Sequence, residues 1–369
     1  MALTREWTAD VVTSSSDAEN LDAILLDSEC PAELIGLLLA SLRLDLPTVA
    51  MRRETSTSVA LVALGVAPLE GDPAETVVDI ARSGGPTPTK LVGTFALANA
   101  LRAGLSVGAG PELLVHLAAL SRESNATGFS HMLRVLTPET PVVAGLDSTW
   151  LKEHGTAGLL AHLGDAVHSV PTVIGQLKSA LPEPPTDPGE NGARMTFAKG
   201  RASGTEAICR VSGNPKEISG ECRVFGSEKD AIRAASKEDL SSEIIVVGGY
   251  GPQGAPGIHR LDRLGEALKE AGIAESAIVM TDGLAPEEAG TGISLVSPEA
   301  TADGVIGRLR DGDVLKIDLE SGRIRTRVNA QELESRELYN GTKHSGYGYA
   351  ARYARSALPG LEGAGFGLP

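Results

Sequence analysis

The chain has 369 residues, enough for about two domains at roughly 150 residues each, each long enough to bury a core. Lys and Arg number 33 against 48 Asp and Glu, a net charge of −15, and there are only 5 Phe, 5 Tyr and 2 Trp. This balance excludes nucleic acid and an anionic membrane surface as expected partners, because phosphate is repelled and few rings are available to stack on bases.

No apolar run reaches the roughly 18 residues of a membrane span, and MALTREWTADVV at the start lacks a basic flank followed by an apolar stretch. The expectation is a soluble, cytoplasmic protein. Cys30, Cys209 and Cys222 are odd in number and without zinc-ligand spacing, which supports neither a disulfide framework nor a structural zinc site.

In chain order, AILL (23–26) is a short buried strand, AELIGLLLASLRL (32–44) carries an apolar helical face, and the chain breaks at Pro47 into another strand. ALVALGVA (60–67) reads as a further buried parallel strand. TKLVGTFALANALRAGL (89–105) and GPELLVHLAALSRES (110–124) read as two packed helices joined by SVGAG. LPEPPTDPGENGAR (181–194) can sustain neither helix nor strand and marks a linker between residues 1–180 and 195–369. Beyond it, β-branched runs alternate with turns, and DGDVLKIDLESGRIRTRV (311–328) alternates apolar and polar residues on both sides of Glu-Ser-Gly, a hairpin pattern. Helices are expected at SEKDAIRAAS (227–236) and at HRLDRLGEALKEAG (259–272), the second entered from GGYGPQGAPG (248–257). The free N–H groups of that glycine-rich turn are a candidate anion site. RSGGPTPTK (82–90) is a second candidate, or an ordinary loop whose threonine caps a helix.

The ordered segments ICRVSG, CRVFGSEKDAIRAA, IIVVGGYGPQGAPGIHRL, IVMTDG, GISLVSPEATADGVIGRLRDGDVLKIDLESGRIRTRV and GYAARYARSA resemble the dihydroxy-acid and phosphogluconate dehydratase family over residues 195–358. In the first half, AILLDSECPAELIGLLLASLRLDLPTV resembles the segment with the family's Cys-Asp-Lys motif, and ALANALRAGLSVGAGPELLVHLAALSRES its Gly-Gly-Ser-Thr-Asn helix pair. The resemblance implies an α/β protein, an N-terminal α/β/α domain followed by a smaller swivelling β-barrel-like domain, dimeric, with sites between domains. It also implies loss of water from a 2,3-dihydroxy acid, with an iron–sulfur cluster as Lewis acid, magnesium on the carboxylate and a serine alkoxide as base.

Carried over position by position, most of that machinery is replaced. Cys30 matches a cluster cysteine, but Pro31 and Ala32 follow where the family has a magnesium aspartate and a modified lysine. The family's first cluster cysteine is expected to lie before the start of this chain, and the stretch for the third, MRRETSTSVALVALGV, has none. Arg260 stands at the magnesium glutamate, and Pro286 on or beside the catalytic serine. A guanidinium cannot ligate a cation, and one thiolate cannot hold a two-iron cluster. No metal or cofactor is therefore expected.

What remains is a constellation of Cys30, His259, Glu287 and Glu288 as candidate catalytic groups, with Arg260, Asp282, Lys90 and His116 as candidate substrate-binding groups. Arg260 is suited to grip a carboxylate where magnesium once did, and His259 to act as general acid or base, its pKa raised by Glu287 or Glu288. Against this, His259 and Arg260 read equally as solvated residues beginning a helix, His116 as a satisfied core histidine, and Cys30 as a buried small hydrophobe. Lys343 and His344, in an inserted tail, read as a surface or oligomer contact or as a lid. Two functions are compatible with the constellation. One is a metal-cluster-independent lyase or isomerase acting on a small carboxylate, a hydroxy acid or amino-acid derivative, in a specialised biosynthetic pathway. The other is a catalytically inactive homologue serving as a ligand-binding or regulatory partner subunit. A homodimer is expected in either case.

Overall fold

The computed structural model describes residues 1–16, 20–186, 192–201, 204–213, 215–339 and 346–367. Lys343, His344 and part of the expected linker lie outside the described residues. The chain divides into two compact units, Thr4–Gly192, and Ala193–Pro369 with Met1–Leu3. It is mixed α/β, as expected. No helix among the described residues is long and apolar enough to cross a membrane.

The first unit is mostly helical. Its helices are α1 (Ala2–Ser15, mostly in this unit), α2 (Pro31–Leu44), α3 (Ser56–Leu64), α4 (Pro73–Ser83), the single turn α5 (Pro88–Leu91), α6 (Thr94–Ser106), α7 (Pro111–Glu123), α8 (Phe129–Glu139) and α9 (Thr149–His162). The sheet expected here is short: β1 (Ile24–Leu26) pairs in parallel with β2 (Thr48–Ala50), and a two-residue hairpin joins β3 (Pro171–Thr172) to β4 (Gly175–Gln176). ALVALGVA is not a strand; most of it is α3, packed against α6. The capping residues decide this. Thr55 accepts from the N–H of Ser58 at the N-terminus, and Gly65, at φ 90°, closes the C-terminus. Every described position from Thr57 to Leu64 is buried, so the apolar run has no exposed face to reveal a helical period.

The second unit is an eight-stranded closed barrel in the order β10-β6-β5-β12-β11-β7-β8-β9. The strands are β5 (Arg194–Gly200), β6 (Glu206–Val211), β7 (Glu217–Phe225), β8 (Glu243–Val247), β9 (Ile278–Thr281), β10 (Thr291–Ser297), β11 (Val314–Asp318) and β12 (Arg323–Thr326). β7, β8 and β9 run parallel because helices α10 (Glu228–Ala235) and α11 (Asp262–Glu270) make the crossovers. The barrel is filled by small and aliphatic side chains such as Ala198, Ile218, Ile244, Val246 and Ile293, and the two helices cover Ile245, Val247 and Val279 on its outside. The expected hairpin is present as β11–β12, with Leu315 opposite Thr326 and Asp318 opposite Arg323. Asp318 shapes its turn by accepting from the N–H groups of Glu320 and Ser321 at 3.0 and 2.8 Å. The short helices α12 (Ala330–Ser335) and α13 (Gly348–Ser356) follow.

Cys209 and Cys222 belong to the barrel core, where burial pushes both thiols up to about 12. Cys30 is exposed instead of buried, because it occupies the N-cap position of α2, outside the helix's apolar face. A thiol-specific reagent should therefore modify one cysteine per native chain and all three in denaturant. Rapid modification of more than one in the native protein would contradict the barrel packing.

Candidate functional site

The site is built on three loops of the second unit. The glycine-rich segment 248–257 leaves β8, the Thr281-Asp282-Gly283 turn leaves β9, and Ser297-Pro298-Glu299-Ala300 follows β10. Asp282 is 1% exposed and accepts from the backbone N–H groups of Gly249, Tyr250 and Ala300 at 2.8 to 2.9 Å. Glu299, 6% exposed, accepts from the N–H groups of Gln253 and Gly254 at 3.1 and 2.9 Å and from Thr301 Oγ1 at 3.1 Å. The anion that the glycine-rich turn was expected to bind from solution is thus the protein's own pair of carboxylates. Gly283 lies so close to the His259 carbonyl that a Cβ would come within 2.4 Å of it, which explains a glycine at this turn.

Burial raises the pKa of Asp282. Burial also raises Glu299, to about 7, with the charge of Asp282 adding to it and the donated N–H bonds opposing.

His259 and Arg260 do not begin a helix. Ile258 stands at φ 62°, and Arg260 bridges in parallel to Leu284: Leu284 N–H donates to the His259 carbonyl at 2.9 Å, and Leu261 N–H to the Leu284 carbonyl at 3.0 Å. The helix starts at Asp262, where Glu228 of α10 accepts from Leu264 N–H at 3.1 Å. Consecutive side chains of an extended segment face opposite sides. Accordingly Arg260 pairs with Glu287 at 3.2 Å and Asp262 at 3.7 Å.

His259 has other neighbours. Its pKa is lowered by desolvation, opposed by a hydrogen bond to the Pro256 carbonyl and by the charge of Glu228. The expected rise caused by Glu287 or Glu288 does not occur, since the first is taken by Arg260 and the second by Lys269 at 3.1 Å. Desolvation acts to raise Glu288, but its own backbone N–H and Lys269 hold it below the usual carboxylate range.

The remaining candidates belong to the first unit. Cys30 N–H donates to Ser28 Oγ at 3.1 Å, and its side chain caps nothing. Lys90 is exposed on α5. Thr87 holds the N-cap position of that turn without a side-chain capping bond, its hydroxyl lying 3.2 Å from that of Thr89, which donates to Asp45 at 2.7 Å. His116 is buried on α7, with Nδ1 3.5 Å from a guanidinium nitrogen of the fully buried Arg5, and its pKa is held well below 6.5 by burial and by that charge.

Comparison with known proteins gives the shared architecture a family. Residues 183–364 match the dihydroxy-acid/6-phosphogluconate dehydratase C-terminal domain. The chain is a divergent, shortened member of the dihydroxy-acid dehydratase family. Over 98% of its length it is 25% identical to the dihydroxy-acid dehydratase of Citrifermentans bemidjiense, covering 82% of that relative. It is 28% identical to the enzyme of Ignicoccus hospitalis over 76% of this chain and 56% of the relative. Dihydroxy-acid dehydratase 2 of Bordetella bronchiseptica is 30% identical over 71% of this chain and 50% of the relative. This homology supports a dehydratase-like function.

The donor set does not fit the iron–sulfur cluster and magnesium that the resemblance implies. Two of the three cysteines are sealed in the barrel core with raised pKa values, the opposite of what a thiolate ligand needs. Arg260 offers no lone pair. Among the described residues no group of three or more His, Cys, Asp and Glu side chains is arranged to hold a metal ion.

Removing the Asp282 carboxylate orphans three backbone N–H groups, that of Ala300 buried and those of Gly249 and Tyr250 half-buried, so Asp282→Ala should cost about 3–5 kcal/mol of stability in denaturant unfolding. Glu299 adds a pH dependence. Its folded pKa, about 7, stands above the ordinary value of 4.5, so its contribution is complete below about 4.5 and is lost as pH rises through about 7. Unfolding free energy should fall across that window by up to about 3 kcal/mol, and Glu299→Gln should flatten the slope. An unchanged slope would contradict this assignment.

Proposed function

We propose that the protein is a lyase or isomerase that acts on a small carboxylate, a hydroxy acid or amino-acid derivative, without a metal cluster. The observation that carries this reading is the Arg260–Glu287 pair, a guanidinium with a side chain 18% exposed set against a carboxylate 65% exposed. A substrate carboxylate suits the planar fork of Arg260 in the place that the Glu287 carboxylate holds. Exchange of the substrate carboxylate for Glu287 leaves the Glu287 oxygens beside the held substrate. Glu287 then takes the proton from the carbon next to the substrate carboxylate, and the electron pair of that C–H bond forms the double bond as the neighbouring C–O bond breaks. The departing hydroxyl takes the proton from Glu287 and leaves as water, which restores the carboxylate. Return of the proton to the opposite face of the same carbon, with the C–O bond kept, would give isomerisation by inversion instead.

A second reading, a ligand-binding or partner subunit without turnover, is favoured by one specific feature: Arg260 is already satisfied by Glu287 and Asp262, and the anion nest beside it is filled from within. Under either reading the partner is a small carboxylate, and a homodimer is the proposed assembly.

The test is a panel of 2- and 3-hydroxy acids and amino acids assayed for water loss or isomerisation, with iron quantified in the same preparation. Turnover in iron-free protein is expected. Arg260→Ala should raise KM by about tenfold or more, equivalent to about 1.4 kcal/mol, with Arg260→Lys recovering part of it. Glu287→Gln should lower kcat while KM stays near its original value. Carboxylate binding without turnover, lost in Arg260→Ala, would establish the second reading; turnover that requires two irons per chain would overturn both.

A further inference from the structure

A cavity of about 820 Å³ lies in the barrel unit, and its lining includes no residue of the three motif loops. Its volume is within the roughly 300–1,000 Å³ of small-molecule sites. Part of the lining is apolar and belongs to the barrel core or packs against it, including Met280, Val305, Leu309, Leu315, Ile324 and Leu333. The rest is cationic: Lys199, Arg201, Arg323 and Arg325.

The strand geometry explains how these two characters meet. β12 is joined to β5 by only two register pairs, Arg323 with Lys199 and Ile324 with Gly200, whereas β5 and β6 share six. Ile324 packs on the core while its neighbours Arg323 and Arg325 face the other, exposed side of the strand, and all three border the cavity, which places the cations at its rim. Like charges are set side by side there, Arg323 beside Lys199 and Arg325 beside Lys316, an arrangement that destabilises a sheet unless an anion lies near. The carboxylates facing the group are Glu206, 3.4 Å from Lys199, Glu217, paired with Lys316, and Asp318, in register with Arg323. Arg201, Arg323 and Arg325 have no carboxylate within ion-pair distance among the described residues, the charge of Arg325 acting on Asp318 from farther away.

The geometry points to a binding site for an amphipathic anion, an aliphatic chain seated among the apolar core residues with a single carboxylate or phosphate head held by Arg323 and Arg325. This goes beyond the carboxylate chemistry proposed for Arg260. The site rests on different residues, and its test does not require turnover.

The experiment is calorimetric titration of the full-length protein, below the micelle concentration of each probe, with decanoate, decyl phosphate, decanol, decyltrimethylammonium and butyrate. Saturable binding of one decanoate or decyl phosphate per chain is expected, the tighter of the two identifying the head group. Decanol and butyrate should bind at least about tenfold more weakly, and the cationic probe weakest of all. The double variant Arg323→Ala, Arg325→Ala should weaken decanoate by about tenfold or more. Ala330→Trp adds bulk at an exposed lining position without disturbing the Asn329 cap of α12, and it should abolish binding while far-UV circular dichroism stays unchanged. Equal affinity for decanoate and decyltrimethylammonium, no saturable binding to the parent, or binding unaltered in a folded Ala330→Trp protein would overturn the assignment.

Discussion

The barrel unit depends on two buried carboxylates placed among backbone N–H groups. Asp282 and Glu299 together receive N–H bonds from Gly249, Tyr250, Gln253, Gly254 and Ala300. These donors belong to loops that would otherwise have unsatisfied buried amides, each costing about 1–3 kcal/mol. The clamp carries an internal tension, because two carboxylates in one dry region cannot both ionise freely; the raised pKa of Glu299 expresses it.

That clamp explains which parts of the family pattern persist here. Asp282, Gly283, Glu299 and the glycines of 248–257 set backbone paths, and the motifs containing them are recognisable. Arg260, Pro286 and Glu287 lie outside the hydrogen bonds of the clamp. The barrel core is filled mainly by aliphatic residues that make no polar demand on the loops. A fold can therefore keep its frame while its reactive groups change.

Much of the architecture was legible in the sequence, and the failures have physical causes. The alternation in 311–328 specified the hairpin because period two and a turn at Glu-Ser-Gly agree. The run at residues 60–67 was ambiguous because a completely buried helix shows no polar face; the signal that could have decided it was Thr55 with Gly65, a cap at each end. His259 and Arg260 were placed together by adjacency in sequence, yet an extended backbone sends them apart, which only the Leu284 bridge reveals. The anion preference of the glycine-rich turn was read correctly as chemistry, but its source was not, since Glu299 is 46 positions from Gln253. The barrel cavity had no sequence signature at all, because its lining comes from strands and turns far apart in the chain.

The most direct test of the clamp is heteronuclear NMR of the Glu299 carboxyl carbon, assigned by comparison with Glu299→Gln and followed across pH. The account predicts a titration near 7, well above that of an exposed glutamate. A carboxyl titrating at or below about 4.3, the ordinary glutamate value, would show that Glu299 is not held in the dry nest described here.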